Sequence, residues 1–182
     1  MTVSKTLYSA TMSLDGFIAG PGGDMSWATR FIGPNPTVEE IAAQIGALLV
    51  GKRTFTGDDP NKGREGEGEA FGGGWSGPQF VVSHDPPDAE VPDVTFVDDL
   101  DRAHERAKAS AGGKYVNVLG ADIARQLLAA GKVDELMVCI APILLGDGVR
   151  LFDDPGSPPV KLERTRLTHT PLSTNTWFRV VR

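Results

Sequence analysis

Residues 115–142 read YVNVLGADIARQLLAAGKVDELMVCIAP, with a helix-like segment between two strand-like runs. Residues 115–119 form a short run rich in apolar β-branched side chains, which is typical of a buried strand. Residues 123–130 follow Gly120 and end at Gly131, as a helix ends, and a second apolar run occupies 136–142. The order strand, helix, strand predicts two parallel strands joined by a helix.

The same alternation continues through the rest of the chain. Additional strands are predicted at residues 47–50, 79–83 and 94–97, and paired strands at 162–169 and 176–181. Residues 6–19 are predicted as a strand, a tight turn and then a short second strand or an extended loop. We therefore expect a single-domain α/β fold. Its central sheet is mostly parallel, with helices on both faces and a C-terminal antiparallel hairpin.

Two further helices are predicted, together with one long loop. The first begins near Val38, with Thr37 as its N-cap and acids in its first turn. The second covers residues 103–109, with Asp98 or Asp101 as its cap. Residues 57–77 are polar and glycine-rich, which predicts a long surface loop.

The composition restricts the class of protein. The 182 residues carry a net charge of −6 and 40% hydrophobic residues, as expected for one globular domain that binds neither nucleic acid nor an anionic membrane. The N-terminus lacks the layout of a signal peptide, so we expect a cytoplasmic protein. The single cysteine, Cys139, lies in an apolar run and is expected to be buried. Three histidines and one cysteine provide no closely spaced metal ligands, so no metal is expected.

Two strand-like runs lead through glycine into the start of a helix, at 49–54 (LVGKRT) and at 118–123 (VLGADI). The first turn of a helix leaves backbone N–H groups unpaired and carries the positive end of the helix dipole. Each of these turns is therefore a candidate phosphate site. Neither matches the P-loop or the Gly-x-Gly-x-x-Gly fingerprint, so the pattern indicates a nucleotide site of another kind.

Basic and hydroxyl side chains near the first turn bear on which nucleotide is bound. Lys52 and Arg53 lie in the turn, and Ser83 ends the next predicted strand. A guanidinium binds a dianionic phosphate with two hydrogen bonds, so Arg53 and Ser83 would select NADPH over NADH through the 2′-phosphate. The alternative interpretation is that Arg53 is a solvated helix residue and Ser83 a turn former.

Several segments resemble, in order and spacing, the reductase domain of bifunctional riboflavin-biosynthesis deaminase-reductases. They also resemble the stand-alone dihydrofolate-reductase-like proteins grouped with that domain. The matching segments are SLDGFIA (13–19), GKRTF (51–55), VVS (81–83), residues 120–128, and residues 133–148 from VDEL to LGDG. The resemblance covers nearly the whole chain and implies the three-layer dihydrofolate-reductase-like fold.

The resemblance also implies a cofactor, a set of site residues and a homodimer. NADPH would be bound by Ala10, Ile18, Ala19, Gly51, Lys52, Arg53, Thr54, Ser83, His84, Leu119, Gly120, Ala121, Asp122 and Ile123. The substrate would be bound by Asp15, Trp27, Leu145, Gly146 and Gly148. The dimer would form through sheet-edge and C-terminal segments.

Departures from the family pattern narrow the substrate. True dihydrofolate reductases carry a carboxylate five residues beyond the tryptophan of a Met-Pro-Trp-like segment, which Met25-Ser26-Trp27 matches here. This chain has Ile32 at the position of that carboxylate, which argues against folate as the substrate. The riboflavin reductases carry Ser-x-Trp-Ile-Thr, of which Trp27 and Thr29 are kept, and residues 58–60 match their Asp-Asp-Pro. The substrate class therefore stays open between a pyrimidine, a pterin and a flavin precursor.

The cofactor implies hydride transfer from nicotinamide to a C=N or C=O carbon of the substrate. The proton then comes from solvent or from Asp15, the one catalytic candidate, although Asp-Gly is also a common turn pair. A second hypothesis is a protein of the same fold that binds a nucleotide or small ligand without turnover. A third, a structural or partner-binding module, leaves both glycine turns without a role.

Overall fold

The computed structural model describes residues 3–182. The strands are β1 (Thr6–Ser13), β2 (Phe17–Ala19), β3 (Ile45–Gly51), β4 (Gln79–Val82), β5 (Val94–Val97), β6 (Tyr115–Leu119), β7 (Glu135–Ala141), β8 (Val149–Arg150), β9 (Leu162–His169) and β10 (Thr174–Val180). The helices are α1 (Pro36–Gln44), α2 (Lys52–Phe55), α3 (Leu100–Ser110) and α4 (Ala121–Ala129), with 3-10 turns at Pro21–Gly23, Ser26–Phe31 and Ala70–Gly73.

Within residues 3–182, eight strands form one sheet in the order β5-β4-β3-β6-β1-β7-β10-β9. The pairings from β5 through β7 are all parallel. Strand β10 runs antiparallel to both β7 and β9. The predicted mostly parallel sheet with a C-terminal antiparallel hairpin is therefore confirmed.

Helices cover both faces of the sheet, as predicted. Successive side chains of a strand point to opposite faces. On one face Val116 and Val118 of β6 pack in one core with Ala107 of α3 and Leu127 of α4. On the other face the core includes Ile41 of α1. We call this second side the α1 face.

The caps of two helices differ from the prediction. Thr37 is not the N-cap of α1, because Pro36 begins that helix and the Asn35 side chain accepts the Thr37 N–H at 3.2 Å. Proline suits the first helical position because it has no N–H group to satisfy. The cap of α3 is neither Asp98 nor Asp101, since the Asp99 carboxylate accepts the backbone N–H of the third helical residue at 2.7 Å.

Residues 57–77 form the predicted long surface loop, and they pack on the α1 face. The indole N–H of Trp75 donates to the Ile45 carbonyl at 3.1 Å, and Phe71 packs against the same core. The Thr29 hydroxyl donates to the Pro60 carbonyl at 2.8 Å, which joins the loop to the 3-10 turn at Ser26–Phe31. These contacts hold the loop beside the sheet.

The sequence did not reveal β8, a strand of two residues that pairs with β2 in a small second sheet. A run this short has no periodicity to detect. Among the helices of the described residues, none has the length and apolar character needed to cross a membrane.

Candidate functional site

The sheet opens at the carboxyl end of β1. Strand β1 pairs with β7 as far as Ser13, but with β6 only as far as Tyr8. The order of strands also reverses here, because β6 returns to lie between β3 and β1. In open α/β sheets, ligands bind in the crevice at such a reversal. A cleft of about 2340 Å³ occupies this position and reaches both faces of the sheet.

The two predicted phosphate-binding turns meet at this cleft. Strands β3 and β6 are neighbours, with Val50 opposite Leu119 in the register, so their following turns lie side by side. A Cβ atom at Gly120 would lie 2.8 Å from the Thr54 hydroxyl and 3.7 Å from the Gly51 Cα, and Gly120 has a φ of 121°. Only glycine allows the turns this close an approach.

Neither turn has a side chain that caps its helix. Helix α4 follows Gly120 and helix α2 follows Gly51, and no side-chain cap is present at either start. The first N–H groups of α4 thus keep their hydrogen-bonding capacity and the positive end of the helix dipole. The nine-residue α4 supplies the stronger dipole, and the single turn of α2 supplies cationic side chains.

Arg53 is the cation best placed to meet a ligand. The Lys52 ammonium pairs with the Asp85 carboxylate at 3.2 Å. Arg53 is exposed and lines the cleft, and it forms no ion pair with any residue from 3 to 182. His84 is also exposed and lines the cleft.

Ser83 is a buried residue in the turn that follows β4. Its hydroxyl donates to the Asp85 carbonyl at 2.9 Å and accepts the Asp85 N–H at 3.2 Å, and the residue is buried. Both bonds lie within one turn, as is common after a strand. The structure therefore gives no support to the expected contact of Ser83 with a 2′-phosphate. The alternative interpretation, a turn former, describes its geometry.

The remaining predicted cofactor residues line the cleft: Ala10, Ile18, Ala19, Gly51, Thr54, Leu119, Gly120, Ala121, Asp122 and Ile123. Gly148 lines it as well and is pressed against β2, since a Cβ there would lie 2.1 Å from the Ala19 carbonyl oxygen. The φ of Gly148 is 134°, another conformation that favours glycine. The small β2–β8 sheet thus borders the cleft beside Ala10.

Asp15 holds a loop in place. Its carboxylate accepts the Ser13 hydroxyl at 2.6 Å, the Leu145 N–H at 3.1 Å and the Gly146 N–H at 2.7 Å. The Ser13 hydrogen bond and these backbone donors lower the pKa of Asp15 to about 2. A carboxylate ionised near neutral pH has no proton to donate. Asp15 is also absent from the lining of the cleft, so its assignment as a proton donor or substrate ligand loses support.

Three other predicted substrate residues lie outside the cleft lining. Trp27 is buried and packs with Ala141 and Leu145 in a separate small core. Gly146 donates its N–H to Asp15, as described above. Of the five predicted substrate residues only Gly148 lines the cleft, and the Trp27 side chain packs in the small core instead.

Sequence reasoning missed the part of the cleft on the α1 face, which we call the α1 arm. It is lined by Ser9, Thr11, Asn35, Val38, Glu39, Val50, Phe55, Met137, Cys139 and Ser173. The sequence of β1 contains a signal for this arm, because alternate residues of a strand share one face. Leu7 packs in the core of the α1 face, so the polar residues at 9 and 11 lie on that face too. Burial raises the pKa of the Cys139 thiol to about 12, in keeping with its expected inertness.

Comparison with known proteins places the chain in a family. Residues 5–174 match the family model of the RibD C-terminal domain. The uncharacterised protein YyaP of Bacillus subtilis is 25% identical over 158 residues, which cover 82% of this chain and 81% of that protein.

Two solved structures share the fold at low sequence identity. One is a diaminohydroxyphosphoribosylaminopyrimidine deaminase/5-amino-6-(5-phosphoribosylamino)uracil reductase from Thermotoga maritima, with a TM-score of 0.64 and 18% identity. The match covers 98% of this chain and 57% of that one. The other is dihydrofolate reductase from Enterococcus faecalis complexed with NADP(H), with a TM-score of 0.64 and 13% identity. It covers 100% and 99% of the two chains. The predicted dihydrofolate-reductase-like fold is thus confirmed.

Proposed function

The chain belongs to the RibD C-terminal domain family, and we propose that it is a reductase. Its hydride donor is NADPH, and its substrate is a small heterocycle: a pyrimidine, a pterin or a flavin precursor. Similar folds are found in proteins named as reductases, one of them complexed with NADP(H), which supports the proposal.

One observation carries this proposal: the two uncapped glycine turns meet in a cleft where the sheet opens. A Cβ on Gly120 would press on the Thr54 hydroxyl and approach Gly51, so the two turns pack closely and the uncapped N-terminus of α4 lies beside α2. Arg53 lies at the same place without an ion-pair partner among the described residues. A nucleotide diphosphate fits this arrangement of donors and charge.

Arg53 gives the proposal its preference for the phosphorylated cofactor. A guanidinium binds a phosphate dianion with two parallel hydrogen bonds, and hydrogen bonds to charged groups contribute about 1.5–3 kcal/mol. NADH lacks the 2′-phosphate and so gains nothing from Arg53. The expected preference for NADPH is roughly 10- to 100-fold in Kd.

The chain's residues act by binding, orienting and excluding water. When bound, NADPH supplies the hydride. The small side chains of Ala10 and Ala19 leave room for a flat ring, and Ile18 keeps that side of the cleft apolar. With Asp15 ionised and bound to the 145–146 backbone, the proton comes from solvent.

Thermal stabilisation by NADPH and NADH tests this function directly. We expect saturable stabilisation that favours NADPH, and an Arg53→Ala variant that keeps its fold but loses the preference. Arg30→Ala is the matched control, since Arg30 is exposed and outside the cleft lining. Absence of any shift with either nucleotide would contradict the proposal.

A second function, ligand binding without turnover, is favoured by one observation. The one carboxylate predicted as a proton donor, Asp15, is ionised and engaged in the fold. Steady NADPH oxidation with any reducible pterin or pyrimidine would exclude this alternative. Tight NADPH binding without oxidation across such a panel would favour it.

A further inference from the structure

The floor of the α1 arm is built by two neighbouring strands. In the register, Ser9 of β1 lies opposite Met137 of β7. Thr11 lies two residues further along β1, opposite Cys139. All four residues line the cleft, on the face where Leu7 also packs. Strand β1 thus supplies two hydroxyl groups to the floor, and β7 supplies two sulfur-containing side chains.

Ser9 is the exception among the buried hydroxyl residues. It is only 6% exposed, yet its hydroxyl has no hydrogen-bond partner within residues 3–182. Each of the other buried serine and threonine hydroxyls in that range has a partner: Ser4, Thr6, Ser13, Thr37 and Ser83. A buried polar group without a hydrogen bond destabilises a fold, so such groups are rare. The Ser9 hydroxyl therefore takes its partner from the cleft.

The other polar side chains of the arm are satisfied without a ligand. The Asn35 amide donates to Asn175 Oδ1 at 3.1 Å and to the Ser173 hydroxyl at 3.3 Å. The Ser173 hydroxyl donates in turn to Asn175 Oδ1 at 2.9 Å. Thr11 and Glu39 are exposed, so solvent can satisfy them while the cleft is open. That leaves the serine of β1 as the deep polar group available to a ligand.

Apolar side chains make up the rest of this part of the arm: Val38 of α1, Val50 of β3 and Met137 of β7. A flat heterocycle has apolar faces and a polar edge, and sites for such ligands combine apolar walls with a few placed polar groups. A hydroxyl both donates and accepts a hydrogen bond. The ring edge that suits Ser9 therefore has a carbonyl beside an N–H, as in a lactam.

We infer that Ser9 is a specificity-determining residue, whose hydroxyl hydrogen-bonds the lactam edge of the substrate ring in the α1 arm. This role rests on the proposed function, which supplies the hydride donor and a heterocyclic substrate. It adds a substrate contact that the family resemblance did not assign, since Asp15 and Trp27 are engaged in the fold. A ring whose edge N–H groups are methylated leaves the hydroxyl poorly paired and binds less tightly.

Calorimetry on the NADP⁺-saturated protein tests this role with lumazine, a pteridine dione, and with its analogue in which both ring N–H groups are methylated. We expect one-to-one binding of lumazine that is at least tenfold tighter than binding of the analogue. In Ser9→Ala this preference falls by about 3- to 10-fold, which corresponds to one neutral hydrogen bond. Thr176→Val removes a hydroxyl of β10 outside the cleft lining and keeps the wild-type preference.

Three outcomes of this titration would overturn the inference. They are an unchanged preference in Ser9→Ala, an equal fall in Thr176→Val, and the absence of saturable lumazine binding to the wild-type NADP⁺ complex. Failure of NADP⁺ itself to bind is a separate result, which would contradict the proposed function.

Urea unfolding without ligands separates a ligand contact from a structural one. We expect Ser9→Ala to keep or raise the unfolding midpoint, because its hydroxyl has no partner to lose. Ser13→Ala is the matched control on the same strand, and we expect it to lower the midpoint. Its buried hydroxyl donates to Asp15 at 2.6 Å and accepts the Phe17 N–H at 2.9 Å. Equal losses in the two variants would show that the Ser9 hydroxyl serves the fold, and would overturn the inference.

Discussion

Gly120 is the residue on which the contact between the two turns depends. An added Cβ would press on the Thr54 hydroxyl, and the φ of 121° disfavours any other residue. We expect Gly120→Ala to lower the free energy of unfolding by about 1–3 kcal/mol. We also expect it to weaken NADPH binding more than tenfold. Urea unfolding and calorimetry measure the two effects.

Gly131→Ala is the control for this prediction. Gly131 lies just after the C-terminal end of α4 with a φ of 66°, and a Cβ there would meet open space. Its replacement is expected to cost about 1–2 kcal/mol of stability through backbone strain alone, with NADPH affinity unchanged. Equal losses of affinity in both variants would show that the effect of Gly120 is not local.

The ionisation of Asp15 makes the stability of the fold depend on pH. Its pKa is lowered from the ordinary 3.8 to about 2, chiefly by the Ser13 hydroxyl, so it contributes stability above pH 4 that is lost as pH falls towards 2. We expect the difference in unfolding free energy between the wild type and Asp15→Asn to be largest above pH 4 and to vanish near pH 2. Urea titrations at a series of pH values measure it, and a difference independent of pH would refute this assignment.

Helix α1 depends on its cap and on the network behind it. Asn35→Ala removes the cap and leaves one N–H of the buried Asn175 amide without its partner, while Thr168 and Ser173 keep their hydrogen bonds to that amide. We expect a loss of about 2–4 kcal/mol in the free energy of unfolding, the sum of a cap and a buried polar penalty. Asp99→Ala removes the exposed cap of α3 and should cost only about 1 kcal/mol. Urea unfolding that ranks the two variants in the opposite order would contradict this account.

At the level of elements, the sequence predicted most strands and helices and left their ends uncertain. Strands at 94–97 and 115–119 matched because apolar runs between turn residues are unambiguous. The caps of α1 and α3 were misplaced by one or two residues, since Asn, Asp and Thr all cap helices and only tertiary contacts choose among them. For Asn35 the deciding contact is with Asn175, 140 positions along the chain.

For the molecule as a whole, the turns that follow β3 and β6 could be predicted from the sequence, and the α1 arm could not. Glycine between a strand and a helix is a local signal, so residues 51 and 120 were identified from sequence. The α1 arm brings together β1, α1, β7 and the segment before β10, which only the folded chain places side by side. Asp15 and Trp27 also belong to segments that match the family, but in the structure Asp15 binds the 145–146 backbone and Trp27 packs in the small core.

The homodimer remains a prediction. Strand β9 is the outer strand of the sheet, and Leu162 and Leu167 on it are exposed. An exposed edge strand invites pairing with another chain, and a second copy would cover both leucines. Light scattering during gel filtration should give twice the 19.4 kDa of one chain. A mass equal to one chain would refute the dimer.

Backbone amide NMR during titration with NADP⁺ tests the proposal that both glycine turns bind the cofactor phosphates. We predict that the largest shift changes fall on residues 51–54 and 120–123 together, at one-to-one stoichiometry, and that changes on β9 and β10 stay small. Changes confined to one turn, or centred on another surface, would contradict the claim.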